Sequence, residues 1–321
     1  MFNVLVSAPY LQREFDDYRA RFVAEGLCPI VPVVQERLEE DELLSLIHDV
    51  DGIICGDDRI TPRVLDHARR LKVIVKWGTG IDSIDAEYAR RKGIPVRNTP
   101  NAFTGPVSDS VLAYLLAFSR NIVASDRIMK NGKWDKAPGF TLAERCVGII
   151  GVGNIGQMVA RKLKAFGAQV IGTDILDIPA DIRTACGIEM MSLDALLERA
   201  DFITVNCNLN RASHHLLGRR QFERMKRHAV VVNTARGPIV NEADLVWALQ
   251  NGVIAGAALD VFEEEPLPTS SPLRGMPNVL LSSHATNASP RCWNAVHENS
   301  IAMLCESLSP FREAAQRREV A

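Results

Sequence analysis

Three residues of the sequence place a charged or titratable side chain at the end of a short apolar run. They are Arg236, Asp260 and His284, at or just after the runs 229–233, 254–260 and 278–282. Runs of this length predict buried strands, and parallel strands end at the sheet edge where α/β proteins bind ligands. We therefore expect a guanidinium, a carboxylate and an imidazole to lie at one edge of a sheet.

These residue types suit the transfer of a proton beside a hydride. Oxidising a secondary alcohol removes a hydroxyl proton as the hydride leaves, and histidine is the side chain that titrates near neutral pH. A carboxylate on the second ring nitrogen would orient the imidazole and favour its charged form. An arginine could hold a substrate carboxylate and polarise the adjacent carbonyl. Each residue alone has an ordinary structural explanation, so the prediction depends on their occurring together.

A glycine-rich turn indicates where a redox cofactor binds. Gly151, Gly153 and Gly156 follow the apolar run 147–150 and open a segment with helical spacing, and Asp174 follows the next apolar run. Strand, glycine turn, helix, strand and acidic residue in this order form the dinucleotide-binding fingerprint. The helix N-terminus would face the pyrophosphate. Asp174 would accept hydrogen bonds from the ribose hydroxyls and repel a 2′-phosphate, so the sequence predicts NAD rather than NADP.

The remaining elements predict an α/β protein with two domains. At 321 residues the chain is about twice the length of an average domain. Short apolar runs alternate with helix-period segments before and after a break at 98–101, which predicts two doubly wound parallel sheets. One further helical segment, 290–308, follows the last predicted strand.

Composition and charge exclude several classes of protein. Lys and Arg number 37 against 39 Asp and Glu, so the net charge of −2 gives no bulk attraction for nucleic acid. No apolar run has the length of a membrane span, and the first residues lack the pattern of a secretion signal. The seven cysteines are scattered without a C-x-x-C pair, which argues against a disulfide framework or a zinc site. We expect a cytoplasmic protein with no metal, no nucleic-acid partner and no membrane contact.

Several short motifs give the sequence a resemblance to one family over nearly its whole length. The motifs are Gly78-Thr79-Gly80-Ile81-Asp82, Asn98-Thr99-Pro100, Gly132-Lys133-Trp134, the glycine fingerprint with Asp174, Ala200-Asp201-Phe202-Ile203-Thr204, Asn233-Thr234-Ala235-Arg236-Gly237, Leu259-Asp260-Val261-Phe262 and Glu265-Pro266. In these motifs the sequence resembles the D-isomer-specific 2-hydroxyacid dehydrogenases. The resemblance implies a Rossmann cofactor domain, 100–287, inserted into a flavodoxin-like substrate domain made of 1–99 and 288–321. It also implies a homodimer formed through the cofactor domain.

The resemblance further implies roles for individual residues. Arg236 would bind the substrate, His284 would be the acid/base, and Glu265 would support His284. The backbone around Thr79 and Gly80 would receive the substrate carboxylate. The residues implied to contact NAD are Gly151, Gly153, Asn154, Ile155, Gly156, Asp174, Cys207, Thr234, Ala235, Arg236, Asp260, His284 and Asn287.

The predicted substrate is a small 2-oxo or D-2-hydroxy acid with an uncharged tail, such as glyoxylate or hydroxypyruvate. Related phosphoglycerate dehydrogenases carry a basic residue where this chain has Asp57 and Asp58, which would repel a phosphate if they faced the substrate. Arg59 or Lys76 would be the compensating cation, so a phosphoglycerate dehydrogenase proper stays an alternative.

Two further alternatives remain open at this point. One is an NAD(H)-sensing protein like the transcriptional corepressors that resemble this family, since retention of Arg236, Glu265 and His284 does not exclude sensing. The other is a dehydrogenase for a substrate such as formate, because Phe103 and Asn287 depart from the family pattern.

Overall fold

The structure of the chain is a computed structural model that describes residues 1–320, with side chains as far as residue 314. The strands are β1 Phe2–Val6, β2 Leu27–Ile30, β3 Gly52–Cys55, β4 Val73–Lys76, β5 Val96–Arg97, β6 Cys146–Ile150, β7 Gln169–Thr173, β8 Ile188–Met190, β9 Phe202–Val205, β10 Val230–Asn233, β11 Gly256–Leu259 and β12 Val279–Leu281. The α-helices are α1 Pro9–Arg13, α2 Phe15–Ala24, α3 Glu40–Leu46, α4 Pro62–His67, α5 Ala86–Arg91, α6 Thr104–Ser119, α7 Ile122–Lys130, α8 Asn154–Ala165, α9 Ala180–Cys186, α10 Leu193–Arg199, α11 Arg219–Arg224, α12 Glu242–Gln250 and α13 Pro290–Val320.

The chain divides into two compact units. Unit 1 combines Met1–Phe103 with the segment that begins at Ser289, and unit 2 is Thr104–Ala288. The boundaries between the units, at 103/104 and 288/289, lie slightly later in the sequence than the predicted domain boundaries at 99/100 and 287/288. The first is later because Phe103 still packs on the Trp77 ring, whereas α6 begins at the next residue. Ala321, the last residue of the predicted substrate domain, lies outside the described residues.

Unit 1 is built on a parallel sheet with the strand order β2-β1-β3-β4-β5. This flavodoxin-like order reverses direction between β1 and β3, which is where doubly wound sheets open a crevice at their carboxyl edge. The strands β3 and β4 are buried on both faces, as parallel sheets covered by helices require, and they are apolar except for Lys76 at the end of β4.

Helix α13 covers one face of this sheet. A Cβ on Gly52 in β3 would lie only 2.7 Å from Cδ1 of Leu304, so glycine at this position lets the helix pack directly on the strand. Further along the helix axis, the buried Nδ1 of His297 accepts a hydrogen bond of 2.8 Å from Nε1 of Trp77, the residue that follows β4. The helix therefore fixes both the body of the sheet and the loop at its carboxyl edge.

Unit 2 is built on a larger parallel sheet with the strand order β12-β11-β10-β9-β6-β7-β8. The order reverses between β6 and β9, as in a Rossmann fold. Helices α6 and α8 pack over one face, and α10, α11 and α12 pack over the other. The structure thus confirms the predicted fold class of two doubly wound parallel-sheet domains. Within the described chain, no helix combines the length and apolar character needed to cross a membrane.

Candidate active site

The glycine turn after β6 holds the start of α8 close to the sheet. Gly151 adopts a φ of +91°, and a Cβ there would lie 2.5 Å from the backbone nitrogen of Cys207. A Cβ on Gly156 would lie 2.1 Å from the carbonyl oxygen of Gly151. The packing of the unit itself therefore requires glycine at both positions.

Gly153 is not explained by packing. Its φ of −73° suits any residue, and a Cβ placed there would meet no described atom within 4 Å beyond its chain neighbours. No side chain caps α8, whose first residues are Asn154 and Ile155. The first N–H groups of a helix have no intrahelical acceptor and carry a partial positive charge, which attracts phosphate. The open space at Gly153 therefore fits the close approach of a dinucleotide pyrophosphate.

Asp174 follows β7 and is held against the glycine turn. Its Oδ2 accepts a hydrogen bond of 2.7 Å from the Val152 N–H, and its Oδ1 accepts one of 2.9 Å from the Leu176 N–H. A carboxylate oxygen can accept more than one hydrogen bond, so both oxygens keep capacity for the hydroxyls of a ribose. The side chains of Ile175 and Leu176, which follow it, are exposed and bring no cation.

Three polar atoms that follow strands of unit 2 are buried without a hydrogen-bond partner among the described residues. They are Oδ1 of Asn206 after β9, Oγ1 of Thr234 after β10 and Oδ1 of Asn287 beyond β12. Buried polar atoms are normally satisfied, so these three suit a ligand that carries hydrogen-bonding groups. Cys207, beside Asn206, is a poor nucleophile, because burial raises the pKa of its thiol to about 11.

Arg236 stands in a turn that the polypeptide backbone fixes firmly. Asn233 Oδ1 accepts a hydrogen bond of 3.1 Å from the Ala235 N–H, and Asn233 Nδ2 donates one of 2.9 Å to the Arg236 carbonyl. A Cβ on Gly237 would lie 1.9 Å from the carbonyl carbon of Phe262. Glycine at 237 therefore lets the Arg236 turn touch the segment that leads to Glu265.

His284 and Glu265 form a close pair. The distance between His284 Nδ1 and Glu265 Oε2 is 2.9 Å, and both side chains are largely buried. The other carboxylate oxygen, Oε1, accepts a hydrogen bond of 2.9 Å from the Phe262 N–H, which fixes the carboxylate. A carboxylate next to Nδ1 selects the tautomer with its proton on that nitrogen and leaves Nε2 to exchange a proton.

Asp260 holds the backbone that carries His284. The side chain is fully buried; its Oδ1 accepts from the Ala285 N–H at 2.8 Å and its Oδ2 from the Thr286 N–H at 3.1 Å. The Asp260 carbonyl also accepts from the His284 N–H at 2.8 Å. His284 has a φ of +51°, an uncommon conformation for a residue with a side chain. These bonds explain how that conformation is maintained.

Unit 1 carries a separate candidate site in the loop after β4. The Gly78 carbonyl accepts hydrogen bonds from the N–H and the hydroxyl of Thr99, at 2.9 and 3.0 Å. The Thr79 carbonyl accepts one of 2.6 Å from Asn98 Nδ2. Because Thr99 and Asn98 donate hydrogen bonds to these two carbonyls, the loop 78–80 keeps a fixed shape at the carboxyl edge of the sheet.

The geometry of unit 2 agrees with a comparison against known families. Residues 112–286 match the family model of the D-isomer specific 2-hydroxyacid dehydrogenase, NAD binding domain. The chain belongs to this family. It is accordingly an NAD-dependent oxidoreductase of the 2-hydroxyacid dehydrogenase type, and the residues of the glycine turn fit that cofactor.

Individual dehydrogenases of the family are similar to the chain over most of its length. It is 36% identical over 291 residues to a glyoxylate reductase of Korarchaeum cryptofilum, covering 88% of this chain and 83% of that one. It is 40% identical over 251 residues to a D-3-phosphoglycerate dehydrogenase of Methanocaldococcus jannaschii, covering 77% of this chain but 48% of that one. The crystal structure of the TT0316 protein from Thermus thermophilus superposes with a TM-score of 0.82 at 33% identity, covering 96% and 97% of the two chains.

The family, the enzyme class and the use of NAD are thus confirmed, whereas the roles of single residues stay predictions. Among those residues, the structure pairs His284 with Glu265, Asp174 with the glycine turn, and Asp260 with the His284 loop. Sequence reasoning did not anticipate Tyr114 of α6, a partly buried tyrosine whose pKa is raised by burial and by the charge of the Asp260 carboxylate. No local motif marks this tyrosine, because it comes from a distant helix.

Proposed function

We propose that this dehydrogenase interconverts a small 2-oxo acid and the corresponding D-2-hydroxy acid with NAD. The observation that supports this most strongly is the His284–Glu265 pair, with 2.9 Å between ring nitrogen and carboxylate oxygen. The pair belongs to the same unit, and the same sheet edge, as the glycine turn that suits a dinucleotide. The similarity of the chain to the glyoxylate reductase of Korarchaeum cryptofilum supports a small 2-oxo acid as the substrate.

NAD would be held by the glycine turn and the strand ends of unit 2. The N-terminus of α8, from Gly153 to Gly156, would bind the pyrophosphate, and Asp174 would bind the adenosine ribose. Cys207, Ala235 and the buried polar atoms of Thr234 and Asn287 would contact the nicotinamide half. When bound, NAD supplies the acceptor or donor of the hydride.

His284 would exchange the proton at Nε2. In the direction of reduction, the imidazolium gives its Nε2 proton to the carbonyl oxygen of the substrate as that carbon is reduced. The Nδ1–H remains bonded to the Glu265 carboxylate, which favours the charged ring and prevents it from rotating. In the oxidative direction, neutral Nε2 accepts the hydroxyl proton.

Asp260 would act as a positioning residue rather than as a direct contact of the nicotinamide. Its side chain is fully buried, and both carboxylate oxygens accept hydrogen bonds from the loop that follows His284. The Asp260 carboxylate is thus hydrogen-bonded to the protein backbone. The proposed positioning role differs from the cofactor contact that the family resemblance implies.

Two separate groups of donors suit a carboxylate. Arg236 of unit 2 offers a planar guanidinium with several N–H donors, which matches a carboxylate. In unit 1, the backbone N–H groups of the loop at Thr79 and Gly80 would receive a carboxylate. Arg236 would also polarise the neighbouring carbonyl, which favours its reduction.

The decisive experiment is an assay of the purified protein with NADH and a panel of 2-oxo acids. Oxidation of NADH is measured as the loss of absorbance of the reduced nicotinamide. We expect turnover of glyoxylate or hydroxypyruvate. NADH binding without turnover of any member would instead favour the NAD(H)-sensing alternative. Turnover of formate with NAD, but of no 2-oxo acid, would favour the formate-type alternative.

We also propose that the enzyme prefers NADH to NADPH because of the Asp174 charge. Replacing Asp174 by Asn keeps the shape of the side chain but removes the repulsion of a 2′-phosphate. The expected result is a smaller ratio between the KM values for NADPH and NADH. Asp177→Asn, which changes a nearby exposed carboxylate, serves as the control. Equal use of both cofactors by the unmodified enzyme would contradict the proposal.

A further inference from the structure

Lys76, the last residue of β4, is a buried cation next to the substrate loop of unit 1. Only 4% of the residue is exposed. Its Nζ lies 3.2 Å from Oδ1 of Asp57 and donates a hydrogen bond of 3.3 Å to the Trp77 carbonyl. Asp57 follows the neighbouring strand β3, so the ammonium and the carboxylate meet at the carboxyl edge of the sheet.

Gly78 connects this ion pair to the substrate loop. A Cβ on Gly78 would lie 3.7 Å from Lys76 Nζ and 3.8 Å from Cε2 of Phe103. The side of Gly78 that lacks a side chain therefore faces an ammonium and a phenyl ring. A substrate whose carboxylate binds at Thr79 and Gly80 would therefore lie beside the Lys76 ammonium.

The other charged groups of these segments also have partners within the protein. Arg59 lies 4.0 Å from the Glu39 carboxylate, which also pairs with Arg37 at 2.6 Å. Asp58 is fully buried and accepts hydrogen bonds from the Leu38 N–H, at 2.6 Å, and from the Ser7 hydroxyl. Both cations that could have balanced a phosphate are therefore paired with carboxylates.

We propose that Asp57 determines substrate specificity by neutralising Lys76, so that the enzyme favours 2-oxo acids with an uncharged tail over those that carry a second anionic group. This inference rests on the proposed function, because it takes the loop 78–80 as the site of the substrate carboxylate. An anionic tail would have to compete with Asp57 for the ammonium and would be repelled by that carboxylate at short range. A hydroxyl, in contrast, can donate to Asp57 and accept from Lys76 without disturbing the pair.

The test compares hydroxypyruvate with 3-phosphohydroxypyruvate, which differ only in the phosphate. In the unmodified enzyme we expect the higher kcat/KM for hydroxypyruvate. Asp57→Asn releases Lys76 and should raise the ratio of kcat/KM, phosphorylated over unphosphorylated, by about tenfold or more. The double variant Asp57→Asn/Lys76→Met should lose that gain, because the released cation is gone.

Asp66→Asn is the matched control. It removes another aspartate of unit 1 that pairs with a lysine at 2.8 Å, but Asp66 lies on α4 and its partner Lys92 directly follows α5. We expect this variant to keep the substrate ratio of the unmodified enzyme. Thermal melts of all variants establish that each is folded before its kinetics are compared.

The outcomes separate this inference from the proposed function. If the unmodified enzyme reduces neither acid nor glyoxylate, the proposed function itself fails. If it reduces hydroxypyruvate but Asp57→Asn leaves the substrate ratio unchanged, only the role of Asp57 is refuted. A preference of the unmodified enzyme for the phosphorylated acid refutes that role too, and this measurement does not depend on whether a variant folds.

Discussion

His284 combines an unusual backbone conformation with a closely held side chain. Its φ of +51° lies in the left-handed region, where asparagine, aspartate and glycine are the residues most easily accommodated. Glu265 fixes the ring at Nδ1, and Asp260 fixes the following backbone. A replacement at 284 must therefore tolerate the backbone before its chemistry can be interpreted.

Replacing His284 by Asn tests the acid/base role without straining the backbone. We expect kcat to fall by about 10²–10⁴, because asparagine cannot exchange a proton near neutral pH, while NADH still binds. Steady-state kinetics and a fluorescence titration with NADH measure the two effects.

A second histidine provides the matched control for this variant. His215 has the same φ of +51° and lies 2.8 Å from the Glu263 carboxylate, but it is exposed. His215→Asn should retain nearly all activity. If His284→Asn keeps more than about a tenth of its kcat, another group transfers the proton.

The glycines of the cofactor turn should separate binding from folding. Gly153→Ala adds a methyl group where no described atom beyond the chain neighbours lies within 4 Å, so Tm should not change while the Kd for NADH rises about tenfold, or about 1.4 kcal/mol. Gly156→Ala places its methyl group 2.1 Å from the Gly151 carbonyl oxygen, so this substitution should destabilise the fold by about 1–3 kcal/mol or more. Melting curves and calorimetric titrations distinguish the two, and unchanged NADH affinity in Gly153→Ala would argue against a pyrophosphate at this turn.

At the scale of elements, α13 and β4 are connected through the His297–Trp77 hydrogen bond. Burial lowers the pKa of His297, and the nearby Glu14 and Glu298 carboxylates oppose this effect only in part. The neutral ring accepts the Trp77 N–H at Nδ1, which a protonated ring could not do. The contact between helix and loop therefore depends on an uncharged histidine.

This dependence predicts a loss of stability in mild acid. The unfolded chain binds a proton at His297 near pH 6.5, above the lowered pKa of the folded state, so stability falls as pH decreases below about 6.5. His297→Asn keeps an acceptor but does not titrate, and its Tm should decrease less between pH 7 and pH 5. His67→Asn, at an exposed histidine of α4, should behave like the unmodified protein. Identical pH dependence in His297→Asn would refute this account.

The elements differ in how well the sequence determines them. The sequence predicts strands at 146–150 and 169–173, which are the observed bounds of β6 and β7, because a glycine turn separates each strand from the helix beside it. The apolar run 30–34 predicts the second strand at those residues, but the strand lies at Leu27–Ile30, because the turn at Gly26 sets Leu27 opposite Phe2. The short edge strand β8 was not expected, since three residues carry too little periodicity to be recognised.

The sequence predicts the candidate site where it consists of residues that end strands, namely Arg236, Asp260 and His284. The role of Glu265 is implied by the family resemblance, and all four roles stay predictions. The inward bonding of Asp260 and the Lys76–Asp57 pair could not be read from the sequence. Both depend on which strands are neighbours and on which way a side chain turns, and these are settled only by packing.

At the scale of the whole molecule, unit 2 presents an apolar surface on and after α7. No residue of this helix is buried, although its sequence is amphipathic. The exposed apolar side chains are Ile122, Val123, Met129, Trp134 and Phe140. Exposed apolar groups in such number are typical of a protein–protein contact. We propose that this surface forms the homodimer implied by the family resemblance.

The homodimer is tested by the mass of the protein in solution. Light scattering should give twice the 35.4 kDa of the chain. Met129→Glu combined with Trp134→Glu should shift the mass toward that of one chain, because charges would be buried in the contact. Val33→Glu, at an exposed valine of unit 1, should not. A single-chain mass for the unmodified protein would contradict the proposal.

The covering of β3 and β4 by α13 has a consequence for the order in which the chain can fold during synthesis. Unit 2 has all its residues once Ala288 has left the ribosome, whereas unit 1, although it begins first, still lacks α13. Until that helix is made, the face of the sheet around Gly52 has no partner for its apolar atoms. A nascent chain stalled with Ala288 outside the ribosome and α13 still inside it should therefore carry a protease-resistant unit 2 and a protease-sensitive segment 1–103.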